Sequence, residues 1–116
     1  MENKIITPFV DTTSEKITAD LFPAGERIVD AKNAAGGKVK CVLFEDGMAI
    51  ATVRKGKGKD VEMATMIAGK DKEKFMSALM ASVTSIDGRQ VIMEELGDLE
   101  MSDYMQLQVA FSELNF

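Results

Sequence analysis

A chain of 116 residues, 46% of them hydrophobic and 28% charged, is long enough to bury one core and too apolar to stay unfolded. Its formal net charge is −5, with no histidine, no tryptophan and a single cysteine, which removes the usual proton shuttle and any realistic zinc site and argues against general nucleic-acid binding. No apolar run approaches the roughly 20 residues of a membrane span, the start Met1-Glu2-Asn3-Lys4 lacks a signal-peptide pattern, and one cysteine suits a reducing compartment, so a single-domain cytoplasmic protein is expected.

In chain order, Ile5, Ile6, Phe9 and Val10 suggest a short strand, which Pro8 confines to an edge because proline has no amide donor. Thr13 or Ser14 is placed to cap a short helix running to Phe22, with Pro23 as its stop; a flexible arm over residues 1–20 is the other reading. Between Ala24 and Ala35, Ile28, Val29 and Ala31 sit among charges, a pattern open to a short helix or to a strand through Arg27-Ile28-Val29. The clearest β signal spans 38–54. Two alternating runs, Lys38–Phe44 and Met48–Arg54, flank Glu45-Asp46-Gly47, and Asp-Gly favours a hairpin turn. Cys41, among Val39, Val42, Leu43 and Phe44, reads as a buried small hydrophobe.

Lys55-Gly56-Lys57-Gly58-Lys59 reads as a solvated basic linker. Asp60 then caps a helix near 60–68 that carries Val61, Ala64, Ile67 and Ala68, with Gly69 as its stop. Asp71 caps a second helix near 71–85, in which Phe75, Ala78, Leu79, Ser82, Val83 and Ile86 fall on one face. Asp87-Gly88 is a turn, Arg89–Ile92 is extended, and Glu94-Glu95-Leu96 makes a short helical turn before Gly97. Ser102 is expected to cap the last helix, near 102–114, whose face holds Tyr104, Leu107, Phe111 and Leu114. The expected fold is α+β: a small antiparallel sheet, including the 38–54 hairpin, packed against a C-terminal set of about three helices.

Charge is unevenly spread. Lys38 to Lys74 holds nine basic and six acidic residues, whereas Phe75 to Phe116 holds one basic and seven acidic, so the middle and the end are suited to attract each other within a chain or between copies. The lysine-glycine run does not match a phosphate loop, and Asp60 beside it would repel phosphate. Glu94, Glu95, Asp98 and Glu100 match no calcium-loop spacing and read as acidic surface. No catalytic residue, metal ligand or cofactor is expected; acid–base work by carboxylates would need groups from distant segments to converge.

Seven of the nine methionines lie between residues 63 and 105. Methionine is flexible and polarizable, so it fills core gaps and also forms adaptable binding surfaces. The last two long helices each carry a second apolar stripe: Met76 and Met80 on one, Met101, Met105 and Val109, continued by Phe116, on the other. One stripe seats a surface helix, so the second is the candidate partner-binding surface, for another protein or a second copy.

From Gly47 onward a series of short segments occurs in order: Arg54-Lys-Gly-Lys-Gly-Lys-Asp-Val-Glu-Met-Ala64, Ala68-Gly-Lys-Asp-Lys-Glu-Lys-Phe75, Ala78-Leu79, Ile86-Asp-Gly-Arg-Gln-Val91, Met93-Glu-Glu-Leu96 with Leu99, Asp103-Tyr104, Leu107, Phe111 and the closing Leu114-Asn115-Phe116. In order and spacing, this half resembles the small tail assembly chaperones of tailed phages and prophages. The resemblance implies a non-catalytic protein that coats the tape measure protein until tail tube subunits assemble around it and that self-associates; the acidic net charge and the absence of a long apolar run point to no nucleic-acid and no membrane partner. A structural tail or neck component of the virion is the alternative the resemblance leaves open, and residues 1–46 lie outside it.

Overall fold

A computed structural model describes residues 7–116; the strand suggested for Ile5 and Ile6 falls outside the described residues. Six strands form one sheet in the order β1 (Phe9–Thr13), β2 (Ile28–Lys32), β3 (Lys38–Leu43), β4 (Ile50–Arg54), β5 (Thr84–Ile86) and β6 (Arg89–Gln90). Every neighbouring pair is antiparallel except β1 and β2, which run parallel. Four helices complete the α+β fold: α1 (Gly58–Ala68), α2 (Lys72–Val83), α3 (Met93–Gly97) and α4 (Met101–Asn115).

The hairpin of β3 and β4 has the register Cys41 to Thr52 and Leu43 to Ile50, and Gly47 takes φ 71° in its loop, where a side chain would be strained. Strand alternation divides the sheet into two faces. Val42, Ala51 and Val53 meet the helices in the main core, with Ala64, Leu79, Val83, Leu96, Leu107 and Phe111. Val29, Ala31, Val39 and Cys41 face the other way, beneath Ile17 and Phe22. The described part of the strand suggested by Ile5, Ile6, Phe9 and Val10 is the edge strand β1, and beyond it the helix to Phe22 and the flexible arm both give way to two 3-10 turns (Ser14–Lys16 and Ala19–Leu21). Between the turns Ile17 is extended and buried, and Phe22 is buried after the second; the chain lies against the sheet to cover its second face. Cys41 is fully buried, and burial pushes its thiol pKa up, so it acts as a core residue.

Several boundaries differ from expectation. Of the two readings open for 24–35 the strand holds: Ile28–Lys32 forms the internal strand β2, because Val29 and Ala31 pair with Cys41 and Val39 and fill the second core. Helix α2 stops at Val83, and Ile86 belongs to β5, where it pairs with Ala51. Asp71 does cap α2, accepting a 3.0 Å hydrogen bond from the Glu73 amide. Asp87 (φ 49°) and Gly88 (φ 80°) make the tight turn between β5 and β6.

Asp60, read as a helix cap, and Asp103 are both structural anchors. Helix α1 begins at Gly58, so Asp60 lies inside its first turn instead of capping it. The Asp60 carboxylate accepts hydrogen bonds from the Lys57 amide (2.7 Å), from both terminal nitrogens of Arg54 (2.8 and 2.9 Å) and from the Ser82 hydroxyl. These bonds, with Arg54 foremost, hold its pKa well below the usual carboxylate range. They tie β4, α1 and α2 together. The 55–59 segment is therefore pinned and not a free linker: the Gly56 amide also donates 2.6 Å to Asn115 Oδ1. Helix α4 starts at Met101 with Glu100 as its cap residue, so Ser102, expected to be the cap, lies inside its first turn beside Asp103. Buried Asp103 pairs with Arg27 and accepts from the Glu45 amide at 2.8 Å.

Candidate partner-binding surface

Helix α4 crosses the sheet above β3 and β4 and is fixed at both ends. Asp103 and Ser102 engage Arg27 at its start, while Asn115 holds the Gly56 amide and Glu113 approaches the buried Lys40 ammonium (3.8 Å) near its end. The buried residues Asp103, Leu107, Ala110, Phe111 and Leu114 recur at helical spacing and use up one side of the helix. The other stripe stays in solvent: Met101 is 78% exposed, Met105 55%, Val109 46% and Phe116 82%.

Beside α4 lies α2, linked to it by a 3.3 Å hydrogen bond between the Ser77 and Tyr104 hydroxyls. The two helices leave an open groove of about 750 Å³ lined by Met76, Met80, Met105, Val109, Phe111 and Phe116, with Gln108, Ser112 and Glu113 as its polar members. Phe116 stands edge-on to Phe111, ring centroids 5.6 Å apart, at one end of the groove.

Five of the six candidate residues thus line one concavity. Met101 does not join them; it lines a neighbouring hollow of about 580 Å³ with Met93, Leu99, Tyr104 and Lys74. Met80 needs a correction. It is only 1% exposed and belongs to the main core, so it floors the groove and offers a partner no free side chain. The reason is that α2 is covered from more than one side: Ala78, Leu79, Met80, Ala81 and Val83 are all buried, which a single amphipathic stripe does not anticipate.

Sequence reasoning missed the apolar surface on α1. Val61 and Ile67, expected to face inward, are 47% and 54% exposed, and Met63 and Met66 are exposed as well. What α1 buries is Asp60, Ala64 and Ala68. Ala64 and Ala68, one turn apart on the buried side, let α1 approach its neighbour closely, and that spacing was the readable signal. Val61 lines a smaller hollow of about 230 Å³ that shares Phe111 and Phe116 with the groove, so the apolar surface continues from α4 to α1.

Among the described residues no group of three or more His, Cys, Asp and Glu side chains is arranged to hold a metal ion, and no helix is long and apolar enough to cross a membrane. Of the acidic residues at 94–100, Glu95 pairs with Arg89 at 2.7 Å, which lowers its pKa, and Glu94, Asp98 and Glu100 are exposed. No family model, no curated protein and no solved structure matches the chain.

Proposed function

We propose that the chain is a tail assembly chaperone of a tailed phage or prophage, a non-catalytic protein that coats the tape measure protein in the bacterial cytoplasm before tail tube subunits replace it. The observation that supports this reading is the groove between α2 and α4, whose rim is formed by the exposed side chains of Met76, Met105, Val109 and Phe116. A solvent-facing concavity with flexible, polarizable walls accepts several side-chain arrangements, which suits a protein that must cover many successive segments of one long partner. An amphipathic helix is the natural occupant, since α4 is about 22 Å long and offers an apolar stripe along that length.

The energetics suit coating better than a single tight contact. Covering side chains of this size contributes roughly 1–3 kcal/mol each before the cost of association is subtracted, so one groove binds weakly and many copies on one chain bind strongly. Self-association of the chaperone belongs to the same proposal.

Co-expression with the tape measure protein of the same tail gene set, followed by size-exclusion chromatography with light scattering, tests the reading. A soluble complex is expected, and Met105→Asp is expected to release the tape measure protein, because it places a carboxylate against an apolar partner. A tape measure protein that precipitates equally with and without this chain would contradict the proposal. Recovery of the chain in purified particles would favour a structural tail or neck component instead.

A further inference from the structure

The basic residues of the middle segment converge in a place that the groove does not use. Lys38 at the start of β3, Arg54 at the end of β4, and Lys55, Lys57 and Lys59 around the start of α1 line one cleft of about 530 Å³, together with Asn33, Ala35 and Gly37 of the β2–β3 turn. This cleft shares no lining residue with the α2/α4 groove. Its one carboxylate, Asp60, is 6% exposed and bound by both terminal nitrogens of Arg54, so that pair is internally compensated and does not repel an incoming anion. Lys38, Lys55, Lys57 and Lys59 are exposed, and none forms an ion pair with a described residue.

This arrangement opposes local stability in two ways. Lys32 and Lys38 are directly opposite each other across β2 and β3, where like charges repel. Lys57 and Lys59 stand at the positive end of the α1 dipole, where cations are disfavoured. Lys38, Lys57 and Lys59, the residues at which these local rules are broken beside the cleft, are also the ones that line it. The cleft holds no aromatic or large apolar side chain, so it has nothing on which a nucleobase would stack and no anchor for a peptide side chain. Ammonium groups are compact point charges that bind phosphate without requiring a fixed fork geometry. The net charge of −5 disfavours a long polyanion running past the cleft onto the remaining surface.

We propose that this cleft binds a compact oligophosphate, with the ammonium groups of Lys38, Lys55, Lys57 and Lys59 neutralising its charge. The site is independent of the chaperone reading, since it is read from a different surface.

Titration calorimetry of the full chain with inorganic tripolyphosphate tests it. Saturable binding at one site is expected, weakening as salt rises and falling about tenfold or more in Lys57→Glu/Lys59→Glu. Lys70→Glu/Lys74→Glu, which changes the same charge outside the cleft, is expected to bind like the parent. Lys57→Gln/Lys59→Gln serves if the reversed charges disturb folding, and it is expected to weaken binding in the same direction. Absence of binding at low salt, or equal loss in the two charge-reversed variants, would overturn the site. A short single-stranded oligonucleotide or a glutamate-rich peptide that binds while tripolyphosphate does not would overturn the ligand assignment.

Discussion

Asp60 carries more of the fold than a helix-cap residue would. Its side chain is 8% exposed and joins α1 to β4 and α2 through Arg54 and Ser82. Asp60→Asn is predicted to cost about 2 kcal/mol in urea unfolding, less than the 3–5 kcal/mol of a fully buried broken pair because the Arg54 side chain is 42% exposed. Its pKa is lowered in the fold from an ordinary value of 3.8, so the contribution is complete above that value and is lost as pH falls below it. The stability gap between parent and variant is therefore predicted to narrow in acid below about pH 4; a constant gap down to acid unfolding would contradict this. Two methionines separate core from surface. Met80→Ala is predicted to cost about 2–5 kcal/mol, as expected for a buried side chain in a packed core. Met105→Asp, at a site 55% exposed, is predicted to shift stability by no more than about 0.5 kcal/mol while weakening partner binding. Thermal unfolding beside a binding assay separates the two effects.

Elements whose signals are local were legible in the sequence. The 38–54 hairpin, the Asp71 cap, the Asp87-Gly88 turn and the short helix at 93–97 depend on neighbours within a few residues, and the structure has each of them. Gly88→Ala tests the turn: at φ 80° it is predicted to cost about 1 kcal/mol, seen as a lowered denaturation midpoint. Elements whose form depends on distant partners were less legible. The choice between helix and strand at Ile28–Lys32 is made by pairing with β3, and the start of α1 by Asp60 reaching Arg54 and Ser82. The start of α4 is set by Arg27, far away in sequence, which meets Asp103. Asp103→Ala is predicted to lower stability by about 2 kcal/mol by leaving Arg27 and the Glu45 amide without their acceptor. Hydrogen exchange should show the first turns of α4 opening before the sheet; uniform loss of protection would contradict that order.

At the scale of the whole molecule, one sheet supports two unlike surfaces. Helices α2 and α4 leave an apolar groove, and the β2–β3 turn with the start of α1 forms a basic cleft. The second apolar stripe of α4 was readable from spacing alone, because Met101, Met105 and Val109 recur every fourth residue and remain exposed. Its companion on α2 was only half readable: Met76 is 44% exposed, but Met80 is sealed, since burial from two sides leaves no periodic trace. The expected attraction between the basic middle and the acidic end is met among the described residues by a single ion pair, Lys40 with Glu113. The methionines themselves are the most direct reporters of the groove. Methyl spectra of methionine-labelled protein, recorded with and without a tape measure segment, are predicted to shift at Met76 and Met105 and to stay fixed at Met48 and Met66, both more than 80% exposed but outside the groove. A complex that shifts Met48 or Met66 and leaves Met76 and Met105 unchanged would show that the partner binds elsewhere and would contradict the α2/α4 groove as the binding surface.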